Sequence, residues 1–497
     1  MPTKINIIGA GIAGLSAGCY LQMKGFETRI FEMHSLPGGL CTSWKKDGYT
    51  IDGCIHWLVG SSPSDAFYNL WNELVDMKSL KFHDYDEFFR VKDEQGKEII
   101  VYTDIDRLRE EMLSKAPEDK AIIEEFTGAV KKLSKFSLRV DKAPELYNFI
   151  DRVKMIIGLL PYMGMFSKYS KLPSKEFYGR CKNPLLARAF EFAFLPDMPL
   201  FFILMTFVWL NRRSAGYPIG GSIFFSRLIE KKYLELGGKI QYHSKVSRII
   251  TEPSAKGHRA KGIELEKGEF IPADITISAG DGYNTIFKML EGKFVDNKIR
   301  HYYEDFATFP SFILVSLGIA RKFDNEPPVV AVPLKEKFVV DPTESVDYLP
   351  YRIMSYDPTM APEGKSVILC MFKTPNYQYW EDLRRGDKKA YDAEKQRIAD
   401  FVIEQLDRHL GDIKTNLEMV DVCTPATVIR YTGNWKGSYE GWLMNREAAY
   451  NGMTRTLPGL SDFYMAGHWV EPGGGVPAAM MSGRNVAQVI ARKYKVR

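Results

Sequence analysis

Residues 4–33, with the sequence KINIIGAGIAGLSAGCYLQMKGFETRIFEM, constrain the fold more than any other stretch of the chain. The apolar run at 5–8 predicts a buried strand, the apolar spacing over 12–24 predicts a helix, and 28–31 predicts a second strand. A strand, a tight turn, a helix and a strand within about thirty residues form a βαβ unit, which implies a parallel sheet. The stretch therefore predicts an α/β protein with a Rossmann-like core.

The turn of this unit has the glycine spacing of dinucleotide-binding loops. Gly9 allows the tight turn, Gly11 lets the backbone approach a pyrophosphate, and Gly14 lets the helix pack closely on the strand. The helix start then faces the phosphates with free N–H groups and a partial positive charge. Glu32 follows at the spacing of a carboxylate that hydrogen-bonds ribose hydroxyls. The agreement of strand, turn, helix and acid predicts a dinucleotide site.

A second signal lies near the C-terminus, in the sequence YMAGHWVEPGGGVPAAMMSG. A short strand at 463–465 is expected to end at Gly467, and the glycines at 473–475 are expected to open a helix. Aimed at a flavin ring, such a helix start would stabilise the negative charge that the ring acquires on reduction. A helix that only docks on the core is the alternative. Together with the N-terminal loop, the flavin interpretation is favoured.

The composition is that of a globular protein, with 45% hydrophobic and 26% charged residues in a chain of 497. The net charge is only +5, and no nucleic-acid partner is expected. The six cysteines are scattered without metal-ligand spacing, so we predict no metal site and expect reduced thiols. The chain enters its first strand without the pattern of a signal peptide, and we therefore expect a cytoplasmic protein.

The segment 131–182 is strongly basic, with twelve Lys or Arg side chains against four acidic ones. It contains the apolar run 155–166, and a second apolar run follows at 200–210. Both runs are shorter than the roughly 20 residues that cross a bilayer. One interpretation is a surface that dips into an anionic membrane. The other is a pair of buried helices beside a solvated basic face, and the sequence leaves both open.

The remaining chain is expected to alternate between the nucleotide-binding unit and insertions. Apolar runs at 88–91 and 99–102 around a DEQG turn predict a hairpin, and several β-rich runs over 312–372 predict a second sheet. GYPIGGS, residues 216–222, is expected to open a further helix with Ser222 as its N-cap.

These motifs together resemble the phytoene desaturase, carotenoid isomerase and retinol saturase group of FAD proteins, which shares a fold with amine oxidases and Rab GDP-dissociation inhibitors. The resemblance is carried by GAGIAGLSAG at 9–18, the acid at Glu32, PGG at 37–39, IDGCIH at 51–56, YPIGGS at 217–222 and the C-terminal glycine motif. It implies a glutathione-reductase-type FAD-binding domain with an inserted α+β substrate domain. FAD is expected to be noncovalent, because no cysteine stands beside Val476 in the C-terminal motif.

The resemblance also implies domain limits. The discontinuous FAD-binding domain would comprise 1–75, 215–295 and 456–497. A substrate-binding domain would comprise 76–130 and 296–455, and 131–214 would be a helical, basic insertion that is a candidate for membrane contact.

By the same resemblance, eighteen residues are expected to contact the cofactor. They are Gly9, Ala10, Gly11, Ile12, Ala13, Gly14, Glu32, Met33, Gly38, Gly39, Leu40, His56, Val246, Gly467, His468, Gly475, Val476 and Ala479. Leu40 is a departure, since many relatives carry a basic residue after the two glycines. One phosphate contact is therefore in doubt.

The chemistry asks for a base, because oxidising CH–CH to C=C also removes a proton. The candidates are His56, near the first flavin loop, His468 and Glu471 in the C-terminal motif, and Glu440 in NWKGSYEGW. Each has a plainer interpretation: the histidines as hydrogen-bonded scaffold and the glutamates as surface carboxylates. Trp435, Tyr439 and Trp442 are expected to form an aromatic wall of the flavin pocket, or else to belong to the core.

The substrate is expected to be long and apolar. The insertions carry large apolar residues and show no compact basic group that would clamp an anionic head; the residues are Phe192, Phe194, Phe201, Phe202, Phe207 and Trp209. Burying hydrocarbon against such a lining would supply affinity at about 25 cal/mol per Å². An ordinary core is the alternative for these residues.

The leading hypothesis is therefore an FAD-dependent oxidoreductase that desaturates, saturates or isomerises carbon–carbon bonds of an isoprenoid, carotenoid, retinoid or lipid. A flavin amine oxidase and a prenyl or lipid carrier like the Rab GDP-dissociation inhibitors are the alternatives. No second complete GxGxxG follows a strand, so the electrons are expected to go to or come from a quinone, oxygen or a docked donor rather than a nicotinamide domain.

Overall fold

The core of the molecule is a parallel sheet that grows from the βαβ unit at the N-terminus. The computed structural model describes residues 2–137, 139–193, 195–444, 453–473 and 475–495. Two residues considered above, Phe194 and Gly474, lie outside these described ranges.

Strands and helices are numbered separately along the chain. The strands are β1 (Lys4–Ile8), β2 (Glu27–Phe31), β3 (Ser43–Lys46), β4 (Tyr49–Asp52), β5 (Leu58–Val59), β6 (Phe82–His83), β7 (Glu87–Lys92), β8 (Glu98–Tyr102), β9 (Ala215–Pro218), β10 (Lys239–Gln241), β11 (Val246–Ser254), β12 (Gly257–Leu265), β13 (Phe270–Pro272), β14 (Ile275–Ser278), β15 (Ser311–Ile319), β16 (Val329–Asp341), β17 (Glu344–Ile353), β18 (Ser366–Thr374), β19 (Leu417–Cys423), β20 (Leu460–Ser461) and β21 (Phe463–Met465). The helices are α1 (Ile12–Met23), α2 (Ala66–Leu74), α3 (Ile105–Lys115), α4 (Lys120–Leu133), α5 (Phe149–Leu159), α6 (Met163–Tyr169), α7 (Ser174–Tyr178), α8 (Pro184–Ala193), α9 (Leu200–Asn211), α10 (Gly221–Glu235), α11 (Asn297–Asp305), α12 (Tyr377–Gly386), α13 (Lys388–Leu410), α14 (Pro425–Thr432) and α15 (Gly475–Lys493).

The central sheet has five strands in the order β10-β2-β1-β14-β21, and neighbouring strands are parallel. Ile5 and Ile7 of β1 are buried at its centre, as a parallel sheet covered on both faces requires. The α/β prediction with a Rossmann-like core is confirmed. The five strands all come from 1–75, 215–295 and 456–497, the three ranges assigned above to the FAD-binding domain.

The first and last helices of this core, α1 and α15, pack against each other without side chains between them. A Cβ atom at Gly483 would lie 2.3 Å from the carbonyl oxygen of Ala13, and one at Gly14 would lie 2.0 Å from that of Gly9. The Ser16 hydroxyl donates to the carbonyl of Met480 at 2.7 Å. The two ends of the chain are therefore fixed to one another at the edge of the nucleotide loop.

The N-cap of α10 is Gly220 rather than Ser222, so the predicted N-cap is wrong. Gly220 has a φ of 104°, and no side chain of the helix caps it. The cap is supplied from β4 instead, since buried Asp52 accepts the N–H of Ser222 at 2.8 Å and the hydroxyl of Tyr217 at 3.0 Å. The Ser222 hydroxyl is thereby free to accept the N–H of Ile55 at 2.9 Å, which holds the IDGCIH segment.

A second sheet has seven strands in the order β19-β15-β18-β17-β16-β7-β8. The predicted hairpin is present as β7 and β8, and it extends the sheet through a parallel pairing of β7 with β16. The sheet predicted over 312–372 is also confirmed. The helix α13 covers one face of this sheet through Ile398, Val402 and Leu406, which share a core with β15 and β18. The other face is left for the cavity described below.

The two apolar runs have different environments. The helix α9, which contains the second run, is buried through Leu204, Phe207 and other side chains against α4 and the hairpin. The helix α5 and the turn after it expose the first run, with Ile157 59% accessible and Leu160 57% accessible. The buried-helix interpretation thus holds for α9 alone. Among the described residues, no helix combines the length and apolar character needed to cross a bilayer.

We predict that Gly483→Ala lowers the free energy of unfolding by about 1–3 kcal/mol, the usual cost of overpacking a well-packed contact. The obstacle is backbone of α1, which cannot rotate away as a side chain would. The matched control is Gly128→Ala in α4, where a Cβ meets nothing within 4 Å. This control is expected to gain about 0.5–1 kcal/mol from helix propensity. Urea unfolding of both variants tests the prediction, and equal midpoints would contradict it.

Candidate functional site

One large cavity connects the N-terminal glycine loop, the start of α15 and the face of the second sheet that α13 leaves uncovered. Its volume is about 1960 Å³. Residues from both ends of the chain line it, including Gly11 and Glu32 on one side and Gly467 and Gly475 on the other. The cavity therefore joins the two sequence signals in one space.

The glycine loop brings two backbone segments together at one end of the cavity. The N–H of Gly38 donates to the carbonyl of Ala10 at 2.9 Å, so the PGG segment lies beside the first loop. A Cβ at Gly11 would meet only the carbonyl oxygen of Gly38, at 3.9 Å, whereas one at Gly39 would lie 3.3 Å from the Cα of Gly11. The missing side chains leave bare backbone at the cavity wall, as a pyrophosphate requires.

Glu32 lies at the carboxyl end of β2 and lines the cavity. One carboxylate oxygen accepts the N–H of Ala10 at 2.7 Å, and the other accepts the N–H of His34 at 2.8 Å. These bonds fix the orientation of the carboxylate beside the glycine loop, where it can also accept bonds from ribose hydroxyls.

Beside the start of α1, Gly467 and Gly475 also bring backbone to the cavity in conformations that favour glycine, with φ of 107° and 56°. The N–H of Gly467 is held by the Ser482 hydroxyl of α15 at 2.9 Å. The strand β21 and the start of α15 are thus locked together at the cavity wall.

His56 and His468 both line the cavity and are both expected to be neutral at physiological pH. Desolvation, helped by the positive charges of Arg352 and Lys373, lowers the pKa of His56 to about 3. Desolvation lowers the pKa of His468 to about 4. The Nε2 atom of His468 is buried and has no hydrogen-bond partner in the described part of the chain, so it is available to a ligand.

Glu440 is the candidate carboxylate that lies in the cavity. Desolvation raises its pKa to about 7. Gly475 makes room for it, because a Cβ there would lie 3.1 Å from the Glu440 Oε1 atom. A carboxyl group with this pKa can both take up and release a proton near neutral pH.

Glu471 is placed differently from the other three candidates. It does not line the cavity, and its Oε1 atom accepts hydrogen bonds from Asn485, at 2.7 Å, and from the guanidinium of Arg455. Arg455 also binds Ser482 and Glu145. Glu471 thus belongs to an ion-pair network behind α15, and its role as a base stays a prediction.

Most residues predicted to contact the cofactor do line the cavity. These are Gly9, Gly11, Ile12, Ala13, Glu32, Met33, Gly38, Gly39, Leu40, His56, Val246, Gly467, His468, Gly475, Val476 and Ala479. Ala10 and Gly14 do not line it. Ala10 contributes its N–H to Glu32, and Gly14 serves the packing of α1.

The predicted aromatic residues divide between wall and core. Tyr439 lines the cavity, whereas Trp442 is buried in a cluster in which its indole ring lies 5.0 Å from that of Trp469. Trp435 belongs to the same cluster. Of the large apolar residues expected at the substrate, Phe192, Phe201, Phe202 and Trp209 line the cavity, while Phe207 is core.

Two cavity residues were missed in the sequence, namely Arg352 of β17 and Lys373 of β18. The expectation that no basic group would serve an anionic head is therefore not met. Strand alternation was the available signal, since Leu369, Met371 and Lys373 share one face of β18. Within the described ranges, no three His, Cys, Asp or Glu side chains are grouped as metal ligands.

The parallel sheet, the glycine loop and Glu32 define a dinucleotide-binding protein, and comparison with known proteins identifies its family. The profile of the family described as flavin containing amine oxidoreductase matches residues 12–491, so the chain belongs to this family.

Similar proteins agree with the resemblance stated above. A chloroplastic prolycopene isomerase of Daucus carota is 26% identical over 510 residues, covering 98% of this chain and 79% of that protein. A 4,4'-diapophytoene desaturase (4,4'-diapolycopene-forming) of Methylomonas sp is 23% identical over 527 residues, covering 99% and 96%. The crystal structure of an oxidoreductase from Methanosarcina mazei shares the fold, with a TM-score of 0.60 at 17% identity over 97% of this chain and 99% of that one. The resemblance to the phytoene desaturase and carotenoid isomerase group is confirmed.

The cavity fits FAD, the cofactor that this family membership implies. Bare glycine backbone lies where a pyrophosphate would pass, Glu32 lies where a ribose would bind, and His468, whose Nε2 is unpartnered within the described residues, lines the same cavity. The chain is an FAD-dependent oxidoreductase. Bound in this cavity, FAD supplies two-electron redox chemistry.

We predict that Glu440→Gln flattens the pH dependence of stability of the FAD-free protein between pH 4.5 and about 7. A carboxyl group with a raised pKa binds its proton more tightly when folded, so the wild type loses stability as pH rises through this window. The loss is about 1.4 kcal/mol for each unit of pKa difference.

Urea unfolding midpoints below, within and above the window measure this effect. Glu235→Gln, on the exposed side of α10, is the control and should keep the wild-type profile. Parallel profiles for Glu440→Gln and wild type would show that Glu440 does not hold a proton in the folded state.

Proposed function

We propose that this chain desaturates carbon–carbon single bonds, or saturates or isomerises carbon–carbon double bonds, of a long apolar isoprenoid of the carotenoid or retinoid kind. The observation that carries the proposal is the extension of the cavity past the cofactor-binding loops, where Phe192, Phe201, Phe202 and Trp209 line it. The relatives named prolycopene isomerase and 4,4'-diapophytoene desaturase support this substrate class.

The apolar lining would bind such a substrate by removing its hydrocarbon from water, at about 25 cal/mol per Å² of buried surface. It would also exclude water from the reacting carbons. Glu440 is the group best suited to move a proton, because its pKa of about 7 lets its carboxylate accept one from a substrate carbon and return it. His56, with a pKa of about 3, is a weak base and is better suited to orient the substrate.

Amine oxidation is the second candidate, and the description of the family favours it. A cationic amine would meet Arg352 and Lys373, whose positive charges line the same cavity. Like charges in a desolvated space repel strongly, which weighs against this candidate. The carrier alternative has no support from the family, since its members are flavin oxidoreductases.

The electron partner proposed for the cofactor is a quinone, oxygen or a docked protein. A cytoplasmic location also stays a proposal.

A membrane surface is the second partner that we propose, with α5 as the contact. Phe149 is 80% accessible and Ile150 is 61% accessible, and Ile156 and Ile157 of the same helix are 53% and 59% accessible. Arg152 and Lys154 project from the same helix and are exposed. Apolar side chains beside basic ones are typical of helices that lie in the surface of an anionic bilayer.

The first test of this function is turnover of defined substrates by the FAD-loaded protein. Phytoene, a retinol and a primary amine are incubated with it in air and without oxygen, and the products are analysed for mass and double-bond geometry. Loss or gain of two hydrogens in the polyene indicates desaturation or saturation, and altered geometry at unchanged mass indicates isomerisation. Oxidation of the amine alone would replace the proposal with the second candidate.

The membrane contact is tested with the double variant Ile156→Glu, Ile157→Glu. Each large side chain that leaves the acyl region costs about 1.5–3 kcal/mol, so binding to phosphatidylglycerol vesicles should fall more than about tenfold. The matched control is Phe270→Glu on β13, which replaces an exposed aromatic ring elsewhere. Co-sedimentation measures both. Wild type that stays in the supernatant, or a double variant that still sediments, would contradict the proposal.

A further inference from the structure

Two cationic side chains on neighbouring strands of the second sheet line the cavity and form no ion pair within the described part of the chain. They are Arg352 on β17 and Lys373 on β18, which are neighbouring antiparallel strands with Arg352 opposite Leu369. The side chains on the same face between them, Met371 and Leu369, are apolar and also line the cavity. Two positive charges thus lie on an otherwise apolar surface.

Arg352 is held in a fixed orientation that leaves one edge of its guanidinium group free. Its Nη1 atom donates to the hydroxyls of Tyr85, at 3.2 Å, and Tyr356, at 3.3 Å. Tyr85 in turn donates to the carbonyl of His56 at 3.0 Å. The Nε and Nη2 atoms donate to no group among the described residues, and together they form the edge that binds a carboxylate with two parallel hydrogen bonds.

Lys373 projects into the cavity, where its side chain is accessible, yet the surrounding protein desolvates its ammonium group. This desolvation lowers the pKa of Lys373 to about 8. Both Lys373 and Arg352 lower the pKa of His56, so their fields reach the same part of the cavity.

Another cationic group that lines the cavity, Arg188, has a different environment. It also lines the cavity, but it is paired with Asp347 at 2.9 Å and with Glu191 at 2.8 Å. Cations removed from water are costly unless a counter-charge is present. Among the described residues, acidic side chains supply that counter-charge to Arg188 and not to Arg352 or Lys373.

We propose that Arg352 and Lys373 form a subsite for a carboxylate carried by the substrate, so that this enzyme binds an apolar chain ending in a carboxylate more tightly than the same chain without one. The inference rests on the proposed function, because it places the acidic group at one end of the apolar cavity on which that function depends. The free edge of Arg352 binds the carboxylate with two hydrogen bonds, and Lys373 adds a second positive charge that attracts the anion. The apolar lining then holds the rest of the chain.

The subsite is tested by binding rather than by turnover. FAD content is first read from the absorption of the purified protein, and the FAD-loaded protein is then titrated by calorimetry with dodecanoic acid, dodecanol and dodecyl phosphate. The wild type should bind the acid at least about tenfold more tightly than the alcohol, since hydrogen bonds to charged groups are the stronger class. Arg352→Met should abolish this preference, Lys373→Met should reduce it, and Arg352→Lys should retain part of it.

The control is Arg188→Met, which removes a cation that already has its partners and should leave the ratio of acid to alcohol unchanged. Thermal unfolding of each variant checks that the fold is intact. Equal affinity of the wild type for acid and alcohol would overturn the proposal. So would an Arg352→Met variant that weakens both ligands alike, which is the result expected if the two cations act only on the flavin ring. Stronger binding of the phosphate than of the acid would also overturn it.

These outcomes are separable from a failure of the proposed function. A protein without FAD, or one that turns over only amines, fails the function regardless of the titration. A protein that turns over polyenes but binds acid and alcohol equally fails only the subsite.

Discussion

The contact between α1 and α15 is the constraint on which the rest of the structure depends. It requires α15 to meet the backbone of α1 at Gly483, and it brings the last helix of the chain to the loop that follows the first strand. Both walls of the cofactor cavity are fixed by this contact, because Gly11 belongs to one helix start and Gly475 to the other. The long insertions between them are free to build a substrate space without disturbing the cradle.

Local sequence was sufficient to predict the elements whose conformation depends on residues only a few positions apart. The βαβ unit, the hairpin β7–β8 and the second sheet follow from periodicity and turn residues, which act over a few positions. Ser222 shows where this reasoning ends. Serine is a preferred N-cap residue, but the carboxylate of Asp52, 170 residues earlier in the chain, already accepts the N–H of Ser222. Tertiary contacts also decide between the two apolar runs, since their composition alone does not distinguish α9, which is buried, from α5, which is not.

In the candidate site, too, some residues could be predicted from local sequence and others depend on tertiary contacts. The cofactor loops were predictable because each glycine has a backbone reason that is visible in its immediate neighbours. Arg352 and Lys373 were not, because they belong to different strands and come to line one cavity only when β17 and β18 pair. Glu440 and Glu471 were equivalent by motif, yet one faces the cavity and the other is neutralised by Arg455 behind α15. Burial and partner choice, which depend on the whole fold, separated them.

The continuity of the cavity has a consequence for how the protein matures. A single cavity of about 1960 Å³ includes both the cofactor-binding loops and the apolar side chains proposed to bind the substrate, and no wall separates the two regions. An apolar molecule that binds before FAD can occupy the space that the flavin ring needs. Formation of the active enzyme therefore requires FAD to bind first. A chain that binds an apolar molecule in this space before FAD would carry that molecule without redox activity.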